Sequence, residues 1–137
     1  MKKQILPACV MLVLSLVITV GSLTFLGPCV HEDGTAGACT WAARALLALG
    51  CVLAVISAAA FVSRRARFGA YLSGAAVCAA GVLTPGTFIS LCRMDTMRCR
   101  AVMRPAMILL FGAAALCCLA GALLCAKEER KGMGRRP

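Results

Sequence analysis

Carboxylates are scarce in this chain: its 137 residues include five acidic side chains, Glu32, Asp33, Asp95, Glu128 and Glu129, against fifteen lysines and arginines. Paired-carboxylate chemistry would have to draw on Glu32 and Asp33, and these neighbours read as solvated loop residues rather than as a poised acid and base. The single histidine, His31, falls in the same segment. No phosphate-cradling glycine loop, Gly-x-Ser-x-Gly elbow or His-Glu-x-x-His sequence occurs. The signatures of ATPases, serine hydrolases and zinc proteases are therefore missing, no cofactor pattern replaces them, and a non-enzymatic role without a cofactor is the expectation.

Charge of either sign is also missing from four long stretches, Ile5 to Val30, Ala45 to Ser63, Phe68 to Cys92 and Pro105 to Ala126. Each reaches or exceeds the roughly 18 residues that mark a spanning helix, given about 30 Å of hydrocarbon and a rise of 1.5 Å per residue. Apolar residues make up 61% of the chain and the mean hydropathy is +0.90, well above the share of about half found in soluble domains. The lipid bilayer is thus the first partner. Open strands would leave backbone groups unsatisfied in hydrocarbon, and the runs lack barrel-type alternation, so the segments are helices. Their expected limits are Ile5 to Leu26, Trp41 to Val62, Phe68 to Leu91 and Val102 to Ala126. Met1-Lys2-Lys3-Gln4 mimics the start of a signal peptide, but the apolar run that follows exceeds the usual 7 to 15 residues and is read as a retained helix.

Lysine and arginine set the orientation. Lys2-Lys3, Arg64-Arg65-Arg67 and the tail from Lys127 to Arg136 fall on one side of a four-span chain, which places both termini in the cytoplasm. The loops Cys29 to Thr40 and Cys92 to Arg104 then face outward. The net charge of +10 is distributed over span ends rather than over one basic face, so it reflects topology and contact with anionic headgroups and not nucleic-acid binding.

One short signature occurs twice. Thr24-Phe25-Leu26-Gly27-Pro28-Cys29 recurs as Thr87-Phe88-Ile89-Ser90-Leu91-Cys92, and each copy is followed by a second cysteine, four residues, an arginine and an apolar run. The partners are Cys39 with Arg44 and Cys99 with Arg104. The expected architecture is all-α: an integral membrane four-helix bundle forming a single domain over 1–137. It is made of two tandem transmembrane hairpins, 5–62 and 68–126, with a basic cytoplasmic tail, 127–137. Pro85-Gly86 interrupts the third helix one turn before the second signature, as a simple kink or, less simply, as a break lining an ion or substrate path. Small residues recur on helices two to four, among them Ala54 and Ala58, Gly69 and Ser73, Ala70 and Gly74, Gly112 and Ala113, and Ala120 and Gly121. They serve close packing within the bundle or docking onto another membrane subunit.

Of ten cysteines, Cys9, Cys51, Cys78, Cys117, Cys118 and Cys125 fall in or at the ends of helices and read as small apolar packing residues. Cys29, Cys39, Cys92 and Cys99 lie on the oxidising side and are disulfide candidates; four cysteines allow three connectivities, of which pairing within each loop follows most directly from the repeat. Two alternatives use the same surface. Arg93, Arg98 and Arg100 flank Cys92 and Cys99, and positive charge favours the thiolate that a redox relay requires. Cys29, His31, Cys39, Cys92, Met94, Met97 and Cys99 form a soft-ligand pool suited to copper(I) or zinc, although their spacing matches no compact zinc motif. Arg44, Arg93, Arg98, Arg100 and Arg104 are candidates for contact with a partner or an anion.

At Gly27-Pro28-Cys29, Cys39-Thr40-Trp41, Met97-Arg98-Cys99-Arg100 and Arg104-Pro105-Ala106 the chain resembles a family of small bacterial four-span membrane proteins catalogued as a domain of unknown function. Family members often carry a histidine after the second loop cysteine, where this chain has Thr40. The resemblance implies a bacterial cytoplasmic membrane protein and brings no activity. The expected function is a non-enzymatic structural or accessory subunit of a membrane complex, a transporter among the options, or a homo-oligomer. Its disulfide-shaped outer loops would be the contact surface, and the alternative is a thiol-redox or soft-metal protein acting at those loops.

Overall fold

The computed structural model describes residues 2–24, 38–62, 66–89 and 99–133. These form α1 (Lys2–Leu23), α2 (Ala38–Val62), α3 (Arg67–Leu83) and α4 (Arg104–Met133), with a π-helical turn, Cys99–Met103, leading directly into α4. Three segments, Ile5–Leu23, Thr40–Val62 and Arg100–Lys131, are long and apolar enough to cross a membrane, whereas Arg67–Leu83 is shorter. Helix α1 packs on α2 and α4, and α3 packs on the same two helices, so the four close into a ring.

Glycines set how tightly the ring closes. Gly81 on α3 faces Phe111 on α4, Gly74 faces Cys118, and Gly121 on α4 faces Tyr71 on α3. Positions on α4 fall as those on α3 rise, which is an antiparallel register. Each glycine accepts the side chain opposite: a Cβ at Gly121 would lie 2.7 Å from the Tyr71 ring. Between α1 and α2, Gly50 receives Thr19 and Ile18 in the same way. Lipid supplies no hydrophobic drive between helices, so contact area gained by close backbone approach is the main source of association. Tyr71, Phe111, Met11, Ile18, Leu46, Leu53 and Met107 fill the interior and are fully buried. The buried hydroxyls of Ser15, Ser22 and Ser57 donate to carbonyls of their own helices at 2.7 Å. Among the described residues no buried side-chain nitrogen or oxygen lacks a partner.

The helix limits correct the sequence expectation at several ends. Helix α3 stops at Leu83 rather than running kinked to Leu91. Pro85 has no N–H for the carbonyl one turn back and its ring crowds that carbonyl; Gly86 then takes φ +106°, which turns the chain away from the helix axis. The turn is bonded within itself: the N–H groups of Gly86, Phe88 and Ile89 donate to Ile89, Leu83 and Thr84 carbonyls at 3.1, 3.3 and 3.2 Å. Helix α1 ends at Leu23 with Thr24 in a turn, short of the Leu26 expected. The first residues of both signature copies thus follow a helix rather than end one. Helix α2 starts at Ala38, before Trp41, and helical structure ahead of α4 starts at Cys99, before Val102. At the far end α4 continues to Met133 through what was expected to be tail. Lys127, Glu128, Glu129, Arg130 and Lys131 are good helix formers, and the cations Arg130 and Lys131 suit a helix C-terminus.

Arg67 was grouped with the cytoplasmic charges Arg64 and Arg65, yet it is only 9% exposed. Its Nε donates to the carbonyl of Ala60 at 2.9 Å. Ala60 belongs to the last turn of α2, whose carbonyls have no partner within the helix. One arginine therefore ties the start of α3 to the end of α2 across the four-residue connection.

Candidate functional site

The start of α2, the end of α3 and the start of α4 share one end of the bundle, because neighbouring helices run antiparallel. The described candidates gather at this end. Arg44 is exposed, and its guanidinium stands over the Trp41 ring at 5.6 Å from the centroid. Trp41 is 61% exposed, and the two lie three apart on α2, which puts them on one helix face. A cation over an indole face contributes about 0.5–1 kcal/mol at an exposed site, and an indole at a span end suits the headgroup layer. The pair has the chemistry expected of a span end.

Arg104 takes a different partner. Its guanidinium atoms lie 3.4 Å from where a Cβ on Gly86 would stand, so the first residue of α4 covers the turn that terminates α3. The last carbonyls of a helix carry partial negative charge, and a cation placed over them is favourable. Glycine at position 86 serves twice, by allowing the positive φ and by leaving room for the guanidinium.

The π-helical turn Cys99–Met103 precedes this contact. Counted from Cys99, Pro105 stands inside a continuous helix, where it can give no hydrogen bond to the carbonyl four residues back and its ring would press on that carbonyl. Adding a residue to the turn relieves that crowding, which is how single π-turns arise within α-helices. Pro105 falls in the first turn of α4, which starts at Arg104, and the π-turn directly precedes it. Arg100 is exposed within the widened turn, and Met103 is buried beneath it.

Cys39 and Cys99 therefore belong to the first turns of helical segments and not to open loops. Cys29, His31, Cys92, Arg93, Met94, Met97 and Arg98 lie outside the described residues, as does the rest of 25–37 and 90–98. The disulfide pairing and the soft-ligand pool each depend on some of those positions. Sequence reasoning singled out Arg44, which the structure sets over Trp41, as a contact candidate. It missed the Arg104–Gly86 contact, whose only local sign is a glycine after a proline, and the burial of Arg67, which composition presents as one of a cationic cluster.

The family model described as Domain of unknown function (DUF4418) matches residues 11–125. That span reaches from Met11 in the buried core of α1 to Cys125, the last buried position described on α4. No curated protein and no solved structure matches the chain.

Proposed function

Because the chain belongs to the family of the domain of unknown function DUF4418, which carries no activity with it, we propose its role from the surface its own packing leaves unused. It acts as a non-enzymatic accessory subunit of a membrane complex, such as a transporter, in the bacterial cytoplasmic membrane. Both termini are cytoplasmic, and four spans are arranged as tandem hairpins over 5–62 and 68–126. Helix α3 would form the fourth span together with the turn at 84–89, a reading supported by its packing alongside α2 and α4. The outer loops, shaped by disulfides among Cys29, Cys39, Cys92 and Cys99, present the extramembrane part of the contact surface.

One observation carries this reading. Gly74, Gly81 and Gly121 point into the bundle, but a Cβ at Gly69 would meet nothing within 4 Å. Ser73 and Ala76 follow it on α3 at one and two turns and are exposed. The Ser73 hydroxyl donates to the Ala70 carbonyl at 3.1 Å, so the stripe makes no unmet polar demand on lipid. Exposed Phe68 and Leu72 flank it. A groove of small residues between larger ones is the form that lets a second helix approach closely in a bilayer.

Extraction in a mild detergent followed by affinity purification tests the proposal. A membrane-protein partner should accompany the natural chain and be lost from a Gly69→Leu/Ser73→Leu variant, whose changes face lipid and leave the bundle folded. A natural chain that emerges alone and monomeric, or a variant that keeps its partner, would sink the idea. Labelling of intact cells with an impermeant maleimide, with and without reductant, checks the orientation and the oxidation of the outer cysteines in the same material.

A further inference from the structure

Three sulfurs from three helices meet inside the bundle. Met11 on α1, Cys78 on α3 and Cys118 on α4 are each completely buried. The Cys118 thiol donates to Met11 Sδ at 3.3 Å, and the Cys78 thiol lies close enough to Cys118 to interact with it. Gly74, one turn before Cys78, holds the space open: a Cβ there would stand 2.6 Å from Met11 Cε and 3.1 Å from Cys118 Sγ. Leu53 of α2 closes the fourth side, 3.7 Å from the same point.

We propose that Met11, Cys78 and Cys118 form a binding site for one copper(I) ion within the membrane-embedded core, distinct from the outer loops. The ligand chemistry selects the metal. Thiolate and thioether sulfurs are soft donors and favour copper(I) over harder ions. A structural zinc site takes four protein ligands in a tetrahedron, and the described core offers three sulfurs here with no histidine or carboxylate beside them.

Cysteine binds a metal as thiolate, so binding breaks the S–H bonds of Cys78 and Cys118, forms two copper–thiolate bonds and releases two protons to bulk water, with the Met11 thioether as the neutral third donor. The geometry needs a small adjustment. A metal–sulfur bond of about 2.3 Å in a trigonal arrangement spaces the sulfurs about 4 Å apart, so Cys118 Sγ and Met11 Sδ must part by about 0.7 Å. Methionine is unbranched, with three rotatable side-chain bonds, and can make that movement. The site is the same whether the chain works alone or in a complex.

The test uses the full chain in detergent, without oxygen, after its outer thiols have been capped with an impermeant maleimide in membranes. Copper(I) is titrated against the chromophoric chelator bicinchoninate, and the copper environment is read by X-ray absorption. The natural chain should hold one copper(I) ion with sulfur neighbours only. Cys78→Ala/Cys118→Ala should hold none, while Cys117→Ala, altering the adjacent, partly exposed cysteine, should match the natural chain. Met11→Leu conserves volume and keeps the fold should the double variant fail to assemble; it should lose one of three sulfur neighbours and bind at least about tenfold more weakly. A natural chain without stoichiometric copper, or a Met11→Leu variant with unchanged affinity and sulfur count, overturns the proposal.

Discussion

Replacing glycine by alanine should have opposite effects at two positions, one on each face of the α3–α4 pair. At Gly81 the new Cβ would run into the Phe111 ring, a fully buried side chain; at Gly112, on the same helix as Phe111, it would meet nothing within 4 Å. Both changes remove a glycine from a helix, which by itself favours the helix by about 0.8–1 kcal/mol. That term is common to the two variants and cancels when they are compared. What remains is overpacking at Gly81, where the ring must move off a well-filled position at a cost of about 1–3 kcal/mol. Gly112→Ala should therefore be neutral to stabilising, and Gly81→Ala should lie about 1–3 kcal/mol below it. Reversible unfolding in mixed micelles measures both. Phe111→Leu supplies the control: the smaller side chain frees space, so the Gly81→Ala/Phe111→Leu double variant should lose less than the sum of the single losses, by more than the roughly 0.5 kcal/mol that separates coupled from independent sites. Equal stabilities for the two alanine variants, or strict additivity in the cycle, would refute the claim that glycine–aromatic contact sets the α3–α4 spacing.

Two further outcomes follow from single contacts. Arg67→Met removes the donor to the Ala60 carbonyl, bonded at 2.9 Å, and leaves a buried helix-terminal carbonyl unpaired at a cost of about 1–3 kcal/mol; unfolding of the variant should show this loss, with Arg67→Lys recovering part of it. Gly86→Ala forces a side chain onto a backbone at φ +106° and against the Arg104 guanidinium, which should cost at least about 1 kcal/mol. Amide hydrogen exchange should rise at 84–89 and at the start of α4 and stay unchanged at the α1–α2 contact; a uniform rise would instead indicate loss of the whole bundle.

The helices were legible because the hydrocarbon slab imposes its length on any chain that crosses it, and four charge-free runs are visible without knowledge of contacts. Their ends were harder to read. Proline decides two of them, and sequence alone does not say whether a proline kinks, terminates or widens a helix: Pro85 terminates α3, while Pro105 is accommodated by a π-turn. The inward and outward glycines were equally ambiguous. Gly69 and Gly74 lie five residues apart on one helix, and only the placement of α4 shows that Gly74 meets a cysteine while Gly69 faces out. The sulfur contact was invisible for a similar reason, since Met11 and Cys118 are separated by 107 positions and each looks like ordinary filling for a helix interior. Periodicity reports which residues share a helix face. It does not report which face meets which helix.

The repeated signature also acquires a direction from these helix ends. Both copies start just beyond a helix: α1 gives way to a turn at Thr24, and after α3 a proline-led turn occupies 84–89. A non-helical segment near the hydrocarbon boundary must satisfy its own backbone groups, and this one does so through its internal hydrogen bonds and the Arg104 cover. A helix of 17 residues is about 25 Å long at 1.5 Å per residue, short of the roughly 30 Å slab; in the proposed four-span arrangement the bonded turn would supply the missing depth. Among the described residues the two hairpins carry different chemistry at this end of the bundle: Trp41 and Arg44 stand on the first turns of α2, and Arg104 covers the turn that terminates α3. A partner docking at this end would therefore meet two chemically different halves.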